Sequence, residues 1–104
     1  MKQGLTYHLA VSFEGISLDD VQRIEFAFAD QKDKPPVKFD EYPGSVIRKP
    51  GTNTLLVPWT AAETYKFTSY VYMDTRITLL GTTDQPVTPI VTMFMSETLF
   101  EEGT

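Results

Sequence analysis

Between residues 5 and 13, Leu5, Tyr7, Leu9, Val11 and Phe13 alternate with Thr6, His8, Ala10 and Ser12. That is the two-residue period of a strand with one buried face. The period returns in Ile24, Phe26 and Phe28 against Arg23 and Glu25, which predicts a strand over residues 21–29. It returns again in Val71, Met73, Thr75, Ile77 and Leu79 against Tyr72, Asp74 and Arg76, over residues 70–79. Shorter strands are expected at residues 37–39, 46–48 and 54–59, with a last one over residues 87–95.

The punctuation between these segments is that of a β protein. Ser17 is placed to cap a single helical turn whose positive end carries Asp19 and Asp20. Residues 30–36 form an exposed loop, and Pro35 and Pro36 keep the strand that follows at a sheet edge. Pro43-Gly44, Pro50-Gly51 and the run Gly81-Thr82-Thr83-Asp84 read as turns, and Pro89 interrupts the ladder of the last strand. Thr60-Ala61-Ala62-Glu63 has capping-box spacing, so a short helix ending near Phe67 is expected. The fold class that results is all-β: an immunoglobulin-like β-sandwich of six to eight short antiparallel strands with one short helix, as a single domain over residues 1–104. Ferredoxin-like folds fit less well, because they need two longer amphipathic helices.

Composition narrows the partners. Nine Lys and Arg against fourteen Asp and Glu give a net charge of -5, and the basic residues are scattered, so no phosphate-backbone clamp is expected. Without cysteine there is no disulfide framework and no thiolate metal site. No apolar run approaches the ~20 residues of a membrane span, and the start lacks the apolar core of a signal peptide; synthesis in the cytoplasm is expected.

Catalytic chemistry finds few components. His8, the single histidine, lies on the polar phase of the first strand, with no cysteine and no serine in a Gly-rich elbow to serve. The carboxylate pairs Asp19–Asp20, Asp40–Glu41 and Glu101–Glu102 are sequence neighbours, which on a strand point to opposite faces. Asp30, Asp33 and Asp40 could hold calcium only if their loop folded round, and Lys32 and Lys34 are interleaved among them. No enzyme activity and no cofactor are expected. Tyr70 and Tyr72 share one face of a strand, and Trp59 and Tyr65 are near in sequence. In a sandwich such aromatics belong to the core or to an interface, and tyrosine, with an apolar body and a polar tip, suits a protein interface. A sugar-stacking platform is the alternative.

The order of motifs resembles a group of small proteins encoded in the tail and baseplate regions of phages and prophages of Firmicutes. The residues that carry the resemblance are the start Met1-Lys2-Gln3-Gly4-Leu5-Thr6, the strand-to-helix run from Leu55 to Phe67, the alternating Asp74-Thr75-Arg76-Ile77, and the tail Thr98-Leu99-Phe100-Glu101-Glu102-Gly103-Thr104. Residues 30–51 are longer and richer in proline than that pattern. The resemblance implies a non-enzymatic structural or assembly protein of a tail or baseplate, present in the virion, that forms homo-oligomers or docks on a larger tail protein. The candidate interface residues are Trp59, Tyr70, Tyr72 and Phe100. The alternative function is a carbohydrate-binding or adhesion module built on the same fold.

Overall fold

The computed structural model describes all of the chain except residues 33, 45, 46, 48, 52, 83, 84 and 104. Six strands, β1 (Tyr7–Ser12), β2 (Val21–Ala29), β3 (Lys38–Tyr42), β4 (Thr54–Trp59), β5 (Tyr70–Leu79) and β6 (Val91–Phe94), form two antiparallel sheets. One sheet pairs β1 with β4, and the other has the order β3-β2-β5-β6. Consecutive strands switch sheets between β1 and β2 and return at β4, which gives the B–E and C′–C–F–G order of an immunoglobulin-like sandwich. The segment after Met1 lies alongside the end of the larger sheet, where Lys2 bridges Ser96 in parallel.

Alternation explains which face each strand buries. From β2, Ile24, Phe26 and Phe28 point inward; from β5, Val71, Met73 and Ile77; from β4, Leu55, Val57 and Trp59. The aromatic centre runs from Phe28, whose ring meets Trp59 edge-on at 4.9 Å, to Phe67, 5.2 Å from Trp59. Trp59 is therefore the side chain through which the smaller sheet, the larger sheet and the segment before β5 touch. Its indole N–H finds no acceptor among the described residues, so packing holds it. In a sheet of two strands β1 has only one neighbour, and its inward residues Tyr7, Leu9 and Val11 are half-buried.

Several expected elements shift. The first strand spans six residues rather than nine, and Leu5 is exposed. The strand expected at residues 37–39 starts at Lys38 and runs on to Tyr42, still at the edge that the prolines anticipated. The one at residues 46–48 lies largely outside the described residues, although Ile47 is buried in the core. The last strand is confined to Val91–Phe94: Pro86 and Pro89 lack ladder donors, and the Thr88 hydroxyl instead donates to the Thr75 carbonyl at 2.6 Å. The helix α1 (Ala61–Thr64) is a single turn that ends before Phe67. Its capping box is complete: Thr60 Oγ1 accepts from the Glu63 amide at 3.1 Å, and Glu63 Oε1 accepts from the Thr60 amide at 2.8 Å.

The other oxygen of that carboxylate has a second task. Glu63 Oε2 lies 2.7 Å from Lys38 Nζ, and Asp40 Oδ2 lies 2.8 Å away on the other side, close enough for charge attraction but not aligned as a hydrogen bond. The Lys38 side chain is 3% exposed, and its ammonium sits 5.0 Å from the Trp59 ring centroid and 5.9 Å from that of Phe28. A cation so buried is tolerated only with counter-charges in place. Thr60→Ala, which removes only a cap, is expected to destabilise by about 1 kcal/mol. Glu63→Ala, which removes a cap and one of the two counter-charges of the buried ammonium, is expected to destabilise by about 3 kcal/mol. Urea unfolding compares them, and equal losses would show that the Lys38 contact contributes nothing.

Candidate interaction surface

With the inward faces consumed by the core, the outer face of the larger sheet is where β2 and β5 meet solvent, and it divides into two halves. The register places Glu25 between Glu41 on β3 and Arg76 on β5. Arg76 donates to both carboxylate oxygens, Nε to Oε1 at 2.9 Å and Nη2 to Oε2 at 2.7 Å. Arg23 Nη2 lies 2.6 Å from Glu41 and 3.4 Å from Glu25. This half is internally paired. The arginines cover Glu25, leaving its side chain 9% exposed although it lies on the outside of the sheet.

Further along the same strands the outward residues lose their charge. Ala27 and Ala29 occupy the outward phase of β2, opposite Asp74 and Tyr72 of β5 and, on the other side, Phe39 of β3 opposite Ala27. Tyr70 and Phe94 are cross-strand partners with ring centroids 5.3 Å apart, and Tyr72 stacks beside Tyr70 at 6.1 Å with a 31° tilt. Phe39, Tyr70, Ile90 and Phe94 are 54%, 44%, 52% and 68% exposed. A sheet with one solvated face ordinarily carries polar side chains there, so this half is an uncovered apolar patch.

The alanines make a shallow groove through the patch. One section, about 200 Å³, lies between Phe39, Asp74, Arg76, Glu25 and Ala27. The next, about 140 Å³, is bounded by Ala27, Ala29, Pro36, Tyr72, Asp74 and Ile90, with Lys32 and Lys34 at its rim. Lys32 Nζ stands 5.7 Å from the Tyr72 ring centroid. These spaces fall below the ~300 Å³ at which small-molecule pockets begin, and suit side chains of another polypeptide.

Of the four residues expected at an interface, Tyr70 and Tyr72 are on this patch. Trp59 is not: it is 1% exposed, because the inward phase of β4 carries it into the aromatic centre. Phe100 is 75% exposed but belongs to the tail, where Tyr65 Oη donates to its carbonyl at 3.2 Å. Sequence reasoning missed Phe39, Phe94, Ala27, Ala29 and Lys32. A signal existed for the alanines, since charge stops after Glu25 on the polar phase of β2. His8 is exposed on the opposite sheet. Of the carboxylates considered for calcium, Asp40 is paired with Lys38 and Asp33 lies outside the described residues. Among the described residues no group of three or more His, Asp or Glu could hold a metal ion, and no helix is long and apolar enough to cross a membrane.

The chain matches no family model, and no curated protein or solved structure matches it.

Two carboxylates are held below their ordinary value of 4.5: Glu25, chiefly by the hydrogen bonds from Arg76, and Glu63, where partial burial pushes upward but Lys38 and the Thr60 amide outweigh it. A depressed carboxylate contributes stability above its unfolded pKa and loses it as pH falls through the folded one. The urea midpoint is therefore expected to be level above about pH 5 and to fall as pH drops below 4.5. Glu25→Gln is expected to lower the plateau and shallow the acid slope; an unchanged slope would show that the Arg76 pair does not survive in solution.

Proposed function

We propose that the chain is a non-enzymatic structural or assembly protein that acts through protein–protein contacts made by the outer face of the β3-β2-β5-β6 sheet. The carrying observation is the division of that face: one half neutralised by its own ion pairs, the other an uncovered patch of Tyr70, Tyr72, Phe94, Phe39 and Ile90. Aromatic residues desolvated at the centre of a contact and polar residues around it are the composition of a protein interface. The motif resemblance points the same way and names the setting, a phage or prophage tail or baseplate. A carbohydrate-binding module has less support, because Trp59 is withdrawn into the core and the Tyr70 and Tyr72 rings are tilted by 31° rather than forming one plane.

Sedimentation from micromolar to millimolar concentration tests the reading. A defined oligomer is expected, reduced to monomer in Phe94→Lys with thermal unfolding unchanged. A monomer throughout, combined with saturable shifts of the tyrosine resonances on adding glycans, would replace the assembly reading with the sugar-binding one.

A further inference from the structure

The tail presents a second exposed apolar surface, at Leu99 and Phe100. Gln3 Oε1 accepts from the Thr98 amide at 3.3 Å, and Tyr65 Oη donates to the Phe100 carbonyl, so the backbone of residues 98–100 is tied down. Gly4, with φ +84, makes room for this anchor, since a Cβ there would stand 2.8 Å from Tyr65 Oη. Yet the side chains so positioned face water: Leu99 is 103% exposed and Phe100 75%. Two adjacent apolar knobs on a fixed backbone, flanked by the exposed Glu97 and Glu102, are pre-organised to enter a groove.

We propose that Leu99 and Phe100 of one copy seat in the Ala27–Ala29 groove of a second copy, with Glu97 and Glu102 facing Lys32 and Lys34 at its rim. This rests on the reading of the outer face as a protein interface, and names the partner. Charge favours it: in a chain of net charge -5, the section of the groove at Ala29 is lined by two lysines and Asp74, and in the section beyond it Glu25 is already paired with Arg76. Topology favours a closed pair. Tyr70 pairs with Phe94 and Ala29 with Tyr72, so the tail leaves β6 at the same end of the sheet where β2 delivers Lys32 and Lys34. Two copies meeting at that end exchange tails about a two-fold axis, giving an isologous dimer rather than an open chain.

The test is a charge swap read by sedimentation. Wild type is expected to dimerise, more weakly as salt rises. Lys32→Glu/Lys34→Glu and, separately, Glu97→Lys/Glu102→Lys are each expected to weaken the dimer about tenfold or more, while mixing the two variants restores a heterodimer, because both of its contacts then join opposite charges. Thermal unfolding of each variant checks that these surface changes leave the fold intact. Leu99→Ser/Phe100→Ser is expected to leave a monomer. A dimer indifferent to the swaps but lost in Phe94→Lys would overturn the tail contact while keeping the face. A mixture that stays monomeric would also overturn the tail contact, as would a wild type monomeric to millimolar concentration.

Discussion

The buried ammonium of Lys38 is the constraint on which the arrangement of the larger sheet depends. It lies against the face of Trp59, between the carboxylates of Asp40 and Glu63, and so joins edge strand β3 to the corner where β4 turns into α1. Side-chain direction alternates along a strand, so pinning Lys38 inward fixes every other residue of β3. Asp40 and Tyr42 follow it inward, and Phe39 and Glu41 are sent outward. A slip of one residue would bury Phe39 and release Lys38 to water, an exchange that hydrophobicity alone would favour. What opposes it is Glu63, whose carboxylate at the start of α1 would be left without its cation when Asp40 turned outward together with Lys38.

That register shapes the surface as well as the core. With Glu41 outward, Arg23 and Arg76 have two carboxylates to share, and the charged half of the outer face is satisfied within the chain. With Phe39 outward, the small side chains of Ala27 and Ala29 lie between an aromatic wall on one side and Tyr72 on the other. The groove is therefore a consequence of packing choices made underneath it. An apolar strip next to a self-paired charged strip gives a partner contact area on one side and orientation on the other, since like charges misplaced against the ion-pair half are penalised.

Much of the fold was legible because it rests on periodicity. β2, β4 and β5 have the bounds that alternation indicates, and the capping box at Thr60 and the cap at Ser17 form as their spacing suggests. What was not legible depends on contacts distant in sequence. Lys38 reads as one residue of a short edge strand after a charged loop, and the counter-charge from Glu63 that lets it be buried lies 25 residues away. Trp59 reads as a core or an interface aromatic, and its strand phase, counted from Leu55 and Val57, decides for the core. The tail offered Phe100 as a contact residue, but no local pattern shows that Gln3 and Tyr65 hold its backbone.

Side-chain footprinting with hydroxyl radicals, on dilute and on concentrated protein, is the most direct measurement of whether the outer face works as described. The account requires Trp59 to remain unlabelled at both concentrations, and Tyr70, Tyr72 and Phe94 to be labelled when dilute and shielded when concentrated. Labelling of Trp59 in the folded protein would contradict the interior built around Lys38, and shielding confined to the opposite face, at His8, Leu56 and Pro58, would contradict the assignment of the contact surface.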